Sequence, residues 1–194
     1  MMISVASGKG GTGKTLVTTN MAASIGGVEL LDCDVEEPNS YLFFPEMDER
    51  ESSDCMVPIP VIDEDRCTRC GRCSDFCAYH ALAVFPQKVL LFPELCHGCG
   101  GCALLCPEGA ISEGSRSIGR IHRGRSGEVR LLWGELFVGE PMATPLIEVT
   151  SSSSTRRRGP PVPSSRRFGG ATSVSWSPSR PPSAYTIYRS PSKW

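Results

Sequence analysis

Short apolar runs, separated by glycine-rich and cysteine-rich loops, organise the first 148 residues. Met2-Ile3-Ser4-Val5-Ala6 predicts a short buried strand, and Thr15 to Ser24 has helical composition. Val28-Glu29-Leu30-Leu31-Asp32-Cys33-Asp34 predicts a second strand that closes on two carboxylates. Further on, the pattern repeats itself with a period of some 29 residues, Cys67 falling on Cys96. Each half runs in the same order: apolar strand, cysteine-rich loop, short helix, apolar strand. Val61 to Arg66 and Val89 to Leu95 open the halves; Ala81 to Val84 and Ala110-Ile111 close them. Arg120 to Gly124 and Glu128 to Leu136 predict two more strands. No apolar run reaches the roughly 18 residues that a membrane-spanning helix needs.

Charge divides the chain where the apolar pattern stops. Residues 149–194 hold eight Lys or Arg, 13 Ser and seven Pro with no acidic residue, whereas residues 1–148 carry a net charge of −9. A stretch of that composition buries too little apolar surface to offset its chain entropy, so residues 149–194 predict a disordered tail. The length of 194 residues allows one medium domain or two small ones ahead of it. The N-terminus shows no basic segment followed by an apolar stretch, hence no secretion signal, and a reducing cytoplasm is the expected compartment.

Two loops carry the chemistry. Gly8-Lys9-Gly10-Gly11-Thr12-Gly13-Lys14-Thr15 completes the GxxxxGK[ST] pattern directly between a strand and a helix. Glycines there let backbone N–H groups turn inward around phosphate oxygens, and the helix N-terminus adds its positive dipole. Lys14 is placed to reach the β- and γ-phosphates and Thr15 to ligate Mg²⁺, with Gly8, Gly10, Gly11, Thr12 and Gly13 forming the cradle. Asp32 and Asp34 stand at a strand C-terminus, where α/β sheets bind ligands. They are the candidates for positioning Mg²⁺-bound or attacking water; the alternative is a solvent-facing carboxylate pair.

The second feature is a pair of cysteine runs, Cys67-x2-Cys70-x2-Cys73-x3-Cys77 and Cys96-x2-Cys99-x2-Cys102-x3-Cys106-Pro107. This is the bacterial-ferredoxin spacing for two [4Fe–4S] clusters, in which the fourth cysteine of each run ligates the other cluster. One cluster falls to Cys67, Cys70, Cys73 and Cys106, the other to Cys96, Cys99, Cys102 and Cys77. Zinc competes for CxxC pairs, but tetrahedral sites do not need a 2-2-3 spacing twice. Ala78 departs from the pattern, which has proline there as at Pro107. Cys33 and Cys55 fit no ligand spacing and are expected as small buried hydrophobes. His97 is expected as a surface or supporting residue.

The loop Lys9-Gly10-Gly11-Thr12-Gly13-Lys14-Thr15 resembles the deviant Walker A motif of the MinD/ParA/nitrogenase-iron-protein class. Asp32-Cys33-Asp34-Val35-Glu36-Glu37-Pro38-Asn39 resembles the switch region of a narrower group, MinD-type ATPases with an inserted ferredoxin domain, some of which carry a cobyrinic acid a,c-diamide synthase label. Residues 139–147 look like that group's turn into its next helix. The resemblance covers residues 2 to about 148. It implies an α/β fold: a P-loop sheet of the SIMIBI type over residues 1–57, a two-cluster ferredoxin-like insert over 58–113 and a return to the sheet over 114–148. It also implies Mg-ATP binding and hydrolysis, Lys9 reaching a partner's nucleotide across a homodimer or a pair of paralogues, and coupling to electron transfer or to cluster or metal-cofactor handling.

That family continues with a strand ending in Asp-x-Pro-x-Gly, which this chain does not show. Joining the third base of each codon to the first two of the next permits Asp-Ala-Pro-Pro-Gly-Thr-Ser-Cys from Ser154 to Val162, and Thr-Glu-Pro-Thr-Pro-Phe-Gly from Ser177 to Ala184. Residues 149–194 are therefore expected to be out of frame, the sheet incomplete and hydrolysis impaired. Competing expectations are a ferredoxin-like electron carrier with a decayed ATPase remnant, a ParA-like positioning switch, and nucleic-acid binding by the basic tail.

Overall fold

A computed structural model describes residues 2–6, 11–153 and 184–189. The chain divides into two compact units, one of Met1–Ser52, Ile121–Glu135 and Leu146–Trp194, the other of Ser53–Arg120 and Leu136–Pro145. The elements are β1 (Met2–Ala6), α1 (Lys14–Ile25), β2 (Val28–Asp32), β3 (Glu49–Ile62), α2 (Arg72–Phe76), β4 (Leu82–Val84), β5 (Val89–Leu91), α3 (Gly101–Leu105), β6 (Ile111–Ser126), β7 (Val129–Leu136), α4 (Thr144–Ser153) and β8 (Ala184–Arg189). The unit boundaries lie outside the expected 58–113. The chain passes between the units four times, within β3, β6, β7 and α4, so each division falls inside an element rather than at a loop.

The larger sheet has the order β1-β8-β2-β7-β6-β3. β2 and β7 are parallel, Leu30 beside Leu131 and Asp32 beside Trp133. Buried on both faces, β2 reads as a nearly continuous apolar run, as parallel strands do. Val28, Leu30, Val129, Leu131 and Trp133 point to one face, where they pack with Ala22 of α1, Phe44 and Ile187. Leu31 and Leu132 are buried on the opposite face. Gly134 admits α4: a Cβ there would lie 2.8 Å from both Thr150 Oγ1 and Val35 Cγ1. The Trp133 ring is stacked with Tyr41 at 5.3 Å and with His122 at 5.1 Å between centroids. Trp133→Ala should therefore destabilise the first unit by about 3–5 kcal/mol, read as a lowered urea midpoint in circular dichroism. An unchanged midpoint would contradict this core.

The expectation of an unpacked segment from residue 149 is corrected where it can be described. Residues 149–153 complete α4, with Thr150 buried and its hydroxyl donating to Leu146 O at 2.7 Å. Ala184-Tyr185-Thr186-Ile187-Tyr188-Arg189 forms β8, antiparallel to both β1 and β2, with Ile187 only 2% exposed. The mean composition of the tail hides this segment, whose aromatic and β-branched residues suit a strand. Residues 154–183 and 190–194 lie outside the described residues.

In the second unit the backbone repeats with the sequence. Asp63 N–H donates to Ala110 O at 2.8 Å, and its counterpart 29 positions on, Phe92 N–H, donates to Ala81 O at 2.8 Å. Left-handed backbone recurs at Arg69 and Gly98, at Gly71 and Gly100, and at His80 and Gly109. At Gly98 the requirement is also steric, since a Cβ would sit 2.8 Å from Pro58 O. β4 and β5 pair antiparallel, Leu82 with Leu91 and Val84 with Val89. α2 and α3 pack where Gly101 leaves room for the Phe76 ring.

Candidate functional site

The glycine-rich loop leads from β1 into α1. Of its residues, Gly8, Lys9 and Gly10 lie outside the described residues. Gly11 and Gly13 take left-handed φ values of 72° and 80°, which side chains disfavour. Gly13 O accepts from Val17 N–H at 3.0 Å, so Gly13 caps the helix and Lys14 is its first residue. Thr15 Oγ1 donates to Asn39 Oδ1 at 3.1 Å. Asn39 N–H in turn donates to Asp32 Oδ2 at 3.3 Å. The end of β2 is thus tied to the start of α1 through Asn39, a residue whose role the sequence did not reveal.

Asp32 is fully buried. Its Oδ1 accepts from Asp34 N–H at 3.0 Å and its Oδ2 from Ser40 N–H at 3.1 Å in addition to Asn39. Burial pushes its carboxyl above the ordinary value, against the lowering effect of the Ser40 and Asp34 hydrogen bonds. Both oxygens thus anchor the loop of residues 33–40, and Asp34 is the half-buried carboxylate of the pair. Asp32→Ala leaves those amides without their acceptor and should cost about 3 kcal/mol, seen as a lower unfolding midpoint. A wild-type midpoint in that variant would remove the anchoring role.

Cys33 and Cys55 are buried, as expected of small apolar residues. Burial, followed by the charge of Asp32, pushes the Cys33 thiol up to about 11. The unfolded thiol loses its proton first, so the native state binds more protons above pH 9 and stability falls as pH rises from about 9 to about 11. At pH 8, iodoacetamide should leave Cys33 unmodified in the native protein and label it on unfolding, as read by peptide mass. Rapid native labelling would contradict its burial.

Cys67, Cys70, Cys73 and Cys106 line one small, solvent-open cavity, with Pro107, Val84, Val89 and Ile111 among its walls. Three come from one half of the repeat and the fourth from the other. In the second half, Cys96 and Cys99 lie within electrostatic reach of Cys102. The fourth cysteines are held alike: Ala81 N–H donates to Cys77 Sγ and Ala110 N–H to Cys106 Sγ, each at 3.3 Å. Such bonds favour a sulfur that carries negative charge. Cys73 and Cys102 have their thiols pushed up chiefly by burial, so their thiolates call for a neighbouring cation. All ten cysteines are free of disulfides. Among the described residues, no three His, Cys, Asp or Glu converge on a point that a single metal ion would fill. Tyr79 stacks on His97 at 3.5 Å between centroids, and His97 Nδ1 is 3.1 Å from Leu95 O.

Among the described residues, no helix is long and apolar enough to cross a membrane. The sequence profile of the CobQ/CobB/MinD/ParA nucleotide binding domain matches residues 3–173. The uncharacterized protein MJ0578 of Methanocaldococcus jannaschii is 39% identical over 151 residues, 76% of this chain and 52% of that protein. The chain thus spans about half the length of this relative. Indolepyruvate oxidoreductase subunit IorA of Pyrococcus horikoshii is 38% identical over 60 residues, 29% of this chain and 9% of that subunit. Ferredoxin-3 of Nostoc sp. is 33% identical over 66 residues, 24% of this chain and 68% of that ferredoxin.

Proposed function

The chain belongs to the CobQ/CobB/MinD/ParA nucleotide-binding domain family, and on that premise we propose that it is an ATP-binding iron–sulfur protein. Lys14 and Thr15 hold the phosphates and Mg²⁺ of ATP at the head of α1. Asn39 passes the state of that site to the loop that Asp32 anchors. Lys9 reaches the nucleotide of a second subunit. In the second unit, Cys67, Cys70, Cys73 and Cys106 hold one [4Fe–4S] cluster; Cys96, Cys99, Cys102 and Cys77 hold the other. When bound, the clusters supply one-electron chemistry, which nucleotide-driven rearrangement of a dimer would couple to a redox partner or to cofactor handling. The observation that carries this reading is the cavity of four cysteines drawn from both halves of the repeat. A single tetrahedral zinc needs four sulfurs about 2.3 Å from one point. The 2-2-3 cysteine spacing, present in both runs and not needed by tetrahedral zinc, favours the larger cluster. The short match to Ferredoxin-3 supports the same choice. Reconstitution with Mg-ATP titrated into the loaded protein tests it: the reading expects a nucleotide-dependent change in cluster potential, and unchanged potentials at saturating nucleotide would leave the plain electron carrier.

A second proposal concerns residues 149–194, which we read as translated out of frame. The serine run adds to the strings already recovered. With serine codons of the form TCN, the four junctions from Thr150/Ser151 to Ser153/Ser154 each permit only Phe, Leu, Ile or Val. The neighbouring frame then reads as four apolar residues followed by Asp-Ala-Pro-Pro-Gly. An apolar run closing on a carboxylate and a tight turn is what a buried parallel strand with a ligand at its C-terminal end requires. β1 and β2 are parallel to each other across the antiparallel β8. In a restored chain that central position would suit the parallel strand. Sequencing the coding DNA decides the matter: a neighbouring frame that encodes the string supports the proposal, and one that cannot removes it.

A further inference from the structure

Arg116 of β6 is a largely enclosed cation with one buried nitrogen left unpaired. Its terminal nitrogens form a two-point ion pair with Glu140, Nη2 donating to Oε1 at 3.0 Å. The two side chains are only 16% and 6% exposed. Glu140 is itself held, its Oε1 accepting from Met142 N–H at 3.3 Å. The guanidinium is therefore fixed in orientation, not swinging in solvent. Yet Arg116 Nε is buried with no hydrogen-bond partner among the described residues. A charged donor left unpaired in that way is costly, and folded proteins rarely keep one unless something outside the polypeptide accepts it. Glu94 and Cys96 lie within electrostatic reach of the same guanidinium. Cys96 is 9% exposed and is the first ligand of the second cysteine run.

We propose that Arg116 is a positioning residue for the second cluster: its Nε–H donates to the sulfur shell around Cys96, and Glu140 sets the angle from behind. The inference rests on the cluster assignment above. A hydrogen bond and a positive charge at cluster sulfur favour the reduced state and raise the potential. The carboxylate of Glu140, paired with the same guanidinium, opposes that effect. The pair thus sets the potential of one cluster and leaves the other untouched, so the two pseudo-symmetric centres differ. The sequence gives no sign of this, because the partners lie 24 residues apart with no spacing in common.

The test is an EPR-monitored redox titration of the full chain, reconstituted anaerobically, in wild type, Arg116→Gln, Arg116→Lys and Glu140→Gln. Iron and sulfide content is measured on the same samples. Arg116→Gln should lower one of the two potentials and Glu140→Gln should raise that same potential, the other cluster keeping its value in both. Arg116→Lys retains the charge but loses the fork and should fall between wild type and Arg116→Gln. Should Arg116→Gln fail to assemble clusters, the opposed shifts in Glu140→Gln and Arg116→Lys carry the decision. Loaded variants whose potentials match wild type, or that shift both clusters equally, overturn the role of Arg116. Failure of the wild type itself to take up iron and sulfide instead overturns the cluster assignment.

Discussion

Cys106→Ala is expected to remove one of the two proposed clusters and leave the other. Cys106 stands in the second cysteine run, yet it shares its cavity with Cys67, Cys70 and Cys73 of the first. Its loss should therefore cut iron from about eight to about four per chain, with the surviving cluster that of Cys96, Cys99 and Cys102. Cys77→Ala should do the converse. A fold this small has little core of its own, so each lost cluster also removes stability. Quantifying iron and sulfide in the two variants checks the crossing. A stronger form of the test places Cys106→Ala beside Cys99→Ala: crossed ligation expects them to retain different clusters, with distinct EPR signatures. Identical residual signatures would mean that each run holds its own metal.

The second large effect is at the nucleotide loop. Lys14→Ala removes the cation at the head of α1 that the proposal sets against the β- and γ-phosphates. Charge-assisted hydrogen bonds to phosphate are among the strong ones, and losing this one should weaken Mg-ATP binding by about 100-fold or more. Thr15→Ala has two consequences, because the hydroxyl that would ligate Mg²⁺ also donates to Asn39 Oδ1. Binding should fall, and the loop anchored by Asp32 should loosen. Titration calorimetry with Mg-ATP on the anaerobic protein reads both. Wild-type affinity in Lys14→Ala would remove the phosphate site from this loop.

Several elements that frame the candidate site were legible in the sequence. The order of strand, glycine loop and helix followed from composition and turn chemistry, and β2 announced itself by an apolar run closing on two aspartates. The 29-residue repeat showed in the cysteines alone, and the backbone follows it down to paired left-handed positions such as Gly71 and Gly100. Other elements stayed hidden for physical reasons. The first half of β3, from Glu49 to Asp54, is polar throughout and offers no apolar alternation to detect. β6 has the same fault between Ser112 and Ser117. β8 was lost in the average composition of a serine- and proline-rich tail. The role of Asp32 turned on where its oxygens point: the sequence offers a carboxylate at a strand end, and only the fold shows it accepting the amides of residues 34, 39 and 40. Arg116 and Glu140 meet through tertiary packing alone.

Metal and sulfide analysis of the anaerobically reconstituted chain, joined to its visible spectrum, decides whether the two cysteine runs hold iron–sulfur clusters. Two loaded clusters give about eight iron and eight sulfide per chain, a broad charge-transfer band that bleaches on reduction, and loss of that band in air. Stoichiometric zinc without sulfide, in a colourless protein, would contradict the cluster assignment.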